Sequence, residues 1–599
     1  MGEGPTVDMC LGGRDISEPR LSPDGSTIAF VARSAGGAAQ IVLVPSRGGP
    51  ERILATAVTP TTGRGRNGGV MCWMPDGSSI IHVGTDNTLW SQPVPGGVAR
   101  RLATFDASVE GPVCSPDAGQ VIVSVDRGSI WAVSTAGEGR PRRLDDGRHD
   151  FCLDPAVLID DDSVRVAWQA WSVPDMPWDR SVIASVPLVG GEVSIDHGTG
   201  QIQQVGTGPN GSTLCLRDDT GWLNLWLDGE CLVDEDHEHG GPTWGPAQRS
   251  WALSPDGSTV AFTRNEGGFG RLCVVDIQTR DVHEVARGVH GQLHWSGEIL
   301  TALRSGARTP TQVVAYRTTG SPDAWERSVI AVGPSAGWEH LELDEPEQHE
   351  AVGADGAIVP LRRYGAGNGR VIINVHGGPT DQWEVEFMPR IAYWCARGWD
   401  IVVPDPRGST GHGRAHMQAL RGGWGRDDVV DVRTVARFVH DQGWSTPSTT
   451  VVMGSSSGGM AALGVAIDGG DLIGGCVALY PVSEPADLAE RSHRFEAHYA
   501  LGLIGPHGDD AYRQRSIIRR AASISVPVLL LHGSDDPVVP ADQSRRLAAA
   551  ITAAGGAVVH EEFTGEGHGF RHPENRRAEY RMVGEFLDRV RSGRTVTGQ

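Results

Sequence analysis

Lysine is absent from this chain: all 52 basic residues among its 599 are arginine. That excludes a Schiff-base lysine, a Ser–Lys dyad and the lysine-bearing phosphate loop of nucleotide-binding proteins. Any general base must be a histidine or a carboxylate. Positive charge is scarce as a whole, and the formal net charge is −22. A nucleic-acid or anionic-membrane partner would need a basic face, so neither is expected. Long apolar runs are missing too, and none approaches the ~20 residues that span a bilayer. The opening "MGEGPTVDMCLGGRDISEP" lacks the charged start and apolar run of a signal peptide. The nine cysteines are odd in number, scattered and without a CxxC pair. Buried thiols in a reducing compartment fit this usage better than a disulfide framework, and a cytoplasmic location is expected.

The chain is too long for one core, and about two to four units are expected. Residues 1–340 show no sustained helical periodicity. Short β-type runs alternate there with turn clusters, and one phrase recurs. "LSPDGSTIAFVAR" at 21–33 returns as "WMPDGSSIIHVG" at 73–84, "CSPDAGQVIVSV" at 114–125 and "LSPDGSTVAFTR" at 253–264. Pro-Asp-Gly or Pro-Asp-Ala makes a tight turn in each, with proline fixing φ and glycine accepting positive φ. Several strands per copy, at a spacing of ~40–50 residues, is the pattern of propeller blades. About seven units are expected, starting near 18, 68, 110, 152, 200, 246 and 290, the fourth and seventh degenerate. A β-sandwich array is the alternative, disfavoured because no unit is long enough to bury a core alone.

Residues 341–599 follow a different grammar. Apolar strand-like runs ("RVIINVHGG", "WDIVVPDPRG", "STTVVMG", "GGCVALYPV", "VPVLLLHG") alternate with helical patterns such as "WGRDDVVDVRTVARFVHDQG". Such alternation implies a mostly parallel, doubly wound sheet.

Within this half, Gly454-Ser455-Ser456-Ser457-Gly458 joins an apolar strand to an Ala/Gly-rich helix. A Gly/Ser linker would not be flanked by "TTVVM" and "MAALGVA". The context is that of a nucleophile elbow, which holds its central serine, Ser456, at the carboxyl edge of the sheet. A serine hydroxyl needs a base, and the base needs an orienting carboxylate, in the chain order Ser, Asp, His. Asp535 and Asp536 follow the strand "VPVLLLHG", and His568 stands in the glycine-flanked "EGHGF". His532 and His572 are rival bases, the first expected to be structural and the second an exposed loop residue. Two N–H donors are needed for an oxyanion. The backbone amides of Ser457, just after the nucleophile, and Gly377, in "HGGP" after the first strand, are the candidates.

With these parts in place, the chain resembles the prolyl oligopeptidase family of serine peptidases. The phrases that carry the likeness are "HGGPT", "RGSTGHG", "WGRDDVVD", "GSSSGG", "HGSDDPVVP" and "GEGHGFRHPEN". "VAWQAWSVPDMPWD" and "DDTGWLNLW" look like its acylaminoacyl-peptidase branch. The resemblance implies that Asp536, not Asp535, is the triad acid. It implies a hydrolase of short peptides or aminoacyl amides, without a cofactor, whose propeller caps the site and excludes folded proteins. It also implies that "SHRFEAHYALGLIG" lines the substrate pocket, with Phe495 a wall of the S1 subsite and Glu496 facing a substrate amine. A solvated helix charge is an equal reading for Glu496. Ser457 departs from the aromatic or alanine of many relatives, which leaves the S1 preference open.

Two rival functions stand beside this one. The same triad would serve an esterase or a specialised amidase of an aminoacylated small metabolite, and a pseudoenzyme would use the propeller for binding. Self-association into a homo-oligomer is left open. "DEDHEHGG" (234–241) and "IDDDS" (159–163) cluster possible metal ligands, but neither has a recognised spacing, and no metal is assigned. Asp428 and Asp431 are read as capping and pairing residues, and Arg407 as a structural residue that holds the loop after its strand.

Overall fold

Seven four-stranded antiparallel sheets follow one another along the first half of the chain, each built from four consecutive strands. They span residues 14–54, 71–104, 109–143, 151–197, 202–231, 251–287 and 289–332. These starts lie within a few residues of those read from the repeated phrase, and the fourth and seventh blades are as complete as the others. The computed structural model describes residues 4–592 except 64–65, 160–162, 322–323, 334–336 and 509. Among the described residues no helix is long and apolar enough to cross a membrane.

The Pro-Asp-Gly turns show why the phrase repeats. Asp24 Oδ1 accepts from Ser22 Oγ at 2.5 Å and from Ser26 N–H at 3.0 Å. Asp117 and Asp256 repeat the pattern with Ser115 and Ser254 at 2.5 and 2.6 Å. The aspartate thus closes the turn between a blade's first two strands. Apolar clusters straddle neighbouring blades, so no blade buries its core alone. Phe30 and Val42 of the first blade pack with Val313 and Ala315 of the last. The ring therefore closes by packing and by bonds such as Leu21 N–H to His294 Nδ1 at 3.1 Å, not by exchanging a strand.

In or just before the first strand of each blade stands a residue with positive φ, namely Glu18, Gly69, Gly111, Asp154, Gln204, Ala247 and Gln292 in turn. Blades that are not neighbours meet here, and in a ring that happens only at the axis. Gly68 N–H, leading into the second blade, donates to Pro246 O, leading into the sixth, at 3.1 Å. Asp154 of the fourth blade accepts the Ala247 N–H at 3.1 Å. Glu18 accepts from Gly69 and Val70 N–H at 3.0 and 2.9 Å, and Arg20 Nη2 donates to Gln292 Oε1 at 2.5 Å. Glu18, Arg20 and Gln292 are all buried, so a polar network fills the axis.

The chain divides into two compact units that differ slightly from a single cut near 340. The propeller unit is Gly13–Ser335 with Glu384–Phe387; the residues before Gly13 belong to the other unit with Ala336–Trp383 and everything from Met388. Composition gives no hint of either exchange. The N-terminal turn Val7–Leu11 packs by side-chain contacts, with Cys10 Sγ 3.6 Å from Pro389 O and Asp8 paired to Arg577 at 2.9 Å.

The second unit is an α/β-hydrolase domain with an eight-stranded sheet: β1 (Glu347–Val352), β2 (Ile358–Tyr364), β3 (Val371–Val375), β4 (Asp400–Pro404), β5 (Thr450–Ser455), β6 (Gly475–Leu479), β7 (Val528–Gly533) and β8 (Val558–Phe563). The order is β1-β2-β4-β3-β5-β6-β7-β8. The β1–β2 and β2–β4 pairings are antiparallel and the rest are parallel. The residues of β3, β4, β6 and β7 are all buried, which explains their continuous apolar runs. Six helices matter below or cover the sheet: α1 (Pro389–Cys395), α2 (Asp427–Asp441), α3 (Ser457–Asp468), α4 (Tyr499–Ile504), α5 (Asp542–Ala553) and α6 (Pro573–Ser592).

Candidate active site

Ser456 sits between β5 and α3 with φ 55° and ψ −121°, a conformation that L-residues adopt only under constraint. The neighbouring glycines are needed for close approach. A Cβ on Gly454 would stand 2.1 Å from Gly458 O, and one on Gly458 would stand 2.3 Å from His376 O. Sheet and helix thus force the serine outward at the end of β5. Its N–H donates to Leu479 O at 3.0 Å, and its carbonyl accepts from Met460 N–H at 3.1 Å.

Asp536 and His568 meet from the loops after β7 and β8, with Nδ1 and Oδ2 at 2.7 Å. Asp536 Oδ1 accepts from Val538 and Val539 N–H at 2.8 and 2.9 Å. Burial works to raise this carboxyl, but hydrogen bonds from His532 and His568 outweigh it and hold it well below the usual carboxylate range. Asp535, by contrast, is exposed and accepts from Ser534 Oγ at 2.8 Å. His532 is fully buried, its ring nitrogens 2.7 Å from Ser544 Oγ and 2.9 Å from Val539 O. His572 is exposed.

Sequence reasoning missed what shapes the histidine loop. Glu566, buried in "GEGHGF", accepts from the N–H groups of Arg571 and His572, both at 2.8 Å, and from Asn575 Nδ2 at 2.9 Å. Tyr480, just past β6, lays its ring 4.8 Å from that of His568. Because Leu479 bonds Ser456 and Tyr480 packs on His568, the end of β6 ties the serine and histidine segments together.

Gly377 lies beside the elbow: a Cβ built on it would be 3.5 Å from Ser456 Cβ. Its carbonyl is 2.7 Å from His376 Nδ1, and His376 Nε2 is 2.8 Å from Ser409 Oγ. The loop that follows is anchored on a buried charge cluster that no sequence motif announced. Arg362 makes two bonds to Asp405, at 2.7 and 2.6 Å, and one to Trp383 O at 3.1 Å. Gln382 and His412 bond the same carboxylate at 2.6 and 2.7 Å. Burial would raise Asp405, yet Arg362 and His412 hold it far below its ordinary value. Arg407 pairs with Asp431 at 2.7 Å, and Asp428 accepts from Gly425 N–H at 2.7 Å.

Phe495 is buried, and Glu496 lies 3.3 Å from His493 Nε2. Both precede α4, whose Tyr499 hydroxyl bonds Thr380 of the glycine loop at 2.6 Å. In "DEDHEHGG", Glu235 bonds His239 at 2.8 Å and Glu238 accepts Leu223 N–H at 3.1 Å, which makes it a blade-closing segment. Residues 160–162 of "IDDDS" lie outside the described residues.

A serine lifted at a strand-to-helix elbow and a histidine bonded to a buried carboxylate are parts that acyl transfer can use. Residues 385–593 match the prolyl oligopeptidase family. A dipeptidyl peptidase family member 6 of Caenorhabditis elegans is 28% identical over 236 residues, which is 38% of this chain and 32% of that protein. Dipeptidyl aminopeptidase BIII of Pseudoxanthomonas mexicana is 30% identical over 234 residues, 37% of this chain and 34% of its own. The chain thus spans about a third of the length of these two curated relatives. The crystal structure of puromycin hydrolase matches at a TM-score of 0.87 with 25% identity, covering 100% of this chain and 98% of the other. The family match thus covers the catalytic part of the chain, residues 385–593.

Proposed function

We propose that this protein is a serine peptidase that cleaves short peptides, or aminoacyl and acylaminoacyl amides, through an acyl-enzyme intermediate. Ser456 attacks the carbonyl. His568 takes the hydroxyl proton and returns it to the leaving amine, while Asp536 orients the ring and stabilises its charged form. The N–H groups of Gly377 and Ser457 receive the oxyanion. Phe495 walls the S1 subsite, and Glu496 meets a substrate amine in exchange for His493. No cofactor is required. The propeller restricts substrate size, so short peptides are cleaved and casein is spared. The unpaired cysteines support a cytoplasmic location.

The observation that carries this reading is the forced positive φ of Ser456 in the same unit as the His568–Asp536 pair. The test is covalent labelling by an organophosphonate probe. Ser456→Ala should abolish it and cut turnover by several orders of magnitude, while Ser455→Ala and Ser457→Ala keep the label. Labelling that survives in Ser456→Ala would sink the assignment.

The whole-length likeness to puromycin hydrolase supports a second reading, a specialised amidase of an aminoacylated small molecule. Comparing kcat/KM for puromycin with that for aminoacyl, acylaminoacyl and dipeptidyl chromogenic amides separates the two.

A further inference from the structure

The two backbone amides that would hold an oxyanion sit on separate loops, one after β3 and one at the start of α3. The two loops approach each other closely, Gly377 beside Ser456, and both are also tied to the same short helix. Tyr499, the first residue of α4, donates its hydroxyl proton to Thr380 Oγ1 at 2.6 Å and accepts the Thr380 N–H at 3.0 Å. Thr380 lies three residues beyond Gly377 in the glycine loop. Near the other end of α4, Leu503 O accepts the backbone N–H of Trp424 at 3.3 Å. The indole N–H of Trp424 then donates to Ser457 Oγ at 2.8 Å. Thr380, Tyr499, Trp424 and Ser457 are all buried, so water does not compete for these bonds.

We propose that Tyr499 and Trp424 are positioning residues for the oxyanion donors, clamping both amides to α4. This rests on the serine-peptidase reading above. An oxyanion donor acts only if its N–H points at the place where charge develops, and misplacing one costs catalysis without costing ground-state binding. Ser457 acquires a purpose in this light. Its hydroxyl is the handle by which Trp424 holds the first turn of α3, a handle that an alanine or an aromatic residue lacks. The segment before α4 carries Phe495 and Glu496, so the clamp also joins the pocket segment to the oxyanion site.

The experiment uses the full-length enzyme with Tyr499→Phe, which keeps the ring and removes the hydroxyl, and Trp424→Phe, which removes the indole donor. Thr380→Val breaks the first link from its other side and guards against misfolding of a single variant; melting temperatures are compared first. With a chromogenic aminoacyl amide, kcat should fall about tenfold or more in each, with KM changed by less than about threefold. The Ki of a peptide aldehyde, whose adduct with Ser456 places an oxygen at the donors, should rise by the same factor as kcat/KM falls. A merely structural role would not couple these two quantities. A rise in KM with kcat intact, or aldehyde affinity unchanged while kcat falls, overturns the clamp. The two levels fail separately. If the wild type hydrolyses none of the amides, the peptidase reading falls; if Ser456→Ala is silent while folded Tyr499→Phe, Thr380→Val and Trp424→Phe match wild type, only the clamp does.

Discussion

At the ends of the hydrolase strands, buried polar groups converge on the segment around Ser456; at the propeller axis, they converge on one another. The chemistry is similar in both places. Arg362 and Asp405 are an ion pair at 2.6 Å, and Arg20 and Glu18 approach to 3.6 Å, all four buried. The difference lies in what the groups hold. In the hydrolase unit a chain of single contacts runs from Asp405 through Gln382 toward Gly377, and from Asp536 to His568. Along the axis, Glu18 is already satisfied by the Gly69 and Val70 amides, and Arg20 leans on Gln292. On the proposed reading, function hangs on single residues in one unit, while the other spreads its stability over seven similar blades.

The largest test of that contrast is at the paired aspartates. Asp536→Asn should lower kcat by about 10⁴, as an amide at the orienting position does in the well-studied serine-protease example by favouring the wrong tautomer. Exposed Asp535→Asn should change kcat by less than about tenfold. Equal damage from both would mean that the carboxylate bonded to His568 is not the one that matters.

Next in size is the loss of a buried cation. Arg362→Leu strips two guanidinium bonds from buried Asp405 and leaves it Gln382 and His412, a change that should cost up to ~3–5 kcal/mol. Arg20→Met should cost less, because Arg20 comes no closer than 3.6 Å to Glu18, whose carboxylate is held by two backbone amides. Melting curves of the two variants decide the order, and a larger loss for Arg20→Met would show that the axis, not the glycine loop, depends on single charges.

The sequence made some of this legible and some not. The Pro-Asp-Gly phrase is legible because one short hydrogen-bonded turn needs those three residue types, so the blades could be counted. The elbow is legible because a Cβ on Gly454 would collide with Gly458 O and one on Gly458 with His376 O. Arg362 and Asp405 left no such trace, since a pair joined across the β2–β4 strand contact has no fixed spacing. Glu566 was quoted within a motif yet given no role, because a carboxylate that caps backbone amides reads like any surface acid. The antiparallel β1–β2 hairpin and the exchange of residues before Gly13 and at Glu384–Phe387 between units went unread for the same reason. They are decided by tertiary contact, not by local pattern.

The smallest effect concerns pH, and here a buried aspartate of the hydrolase unit and the turn aspartates of the propeller should respond with opposite sign. Burial pushes the Asp428 carboxyl up to about 7, against the Gly425 N–H that favours its charged form. A group whose pKa rises on folding contributes stability fully present below its unfolded value, near 4, and lost as pH climbs toward 7. The slope is at most about one proton, or ~1.4 kcal/mol per pH unit. The turn aspartates of the propeller behave the other way. Serine hydroxyls and backbone amides hold Asp24, Asp117 and Asp256 below their ordinary value, led by Ser22, Ser115 and Ser254. Their contribution is present above the unfolded carboxylate range and lost as pH falls through the lowered values, and exposure keeps it slight. Hydrogen exchange followed peptide by peptide, corrected for intrinsic rates, reads the two units separately. Between pH 4 and 7 Asp428→Asn, which still accepts the Gly425 N–H, should raise the protection of the hydrolase peptides over wild type by an amount that grows with pH, without touching the propeller. A difference between the two proteins that does not change with pH would place the buried carboxyl in its charged form and remove the contrast.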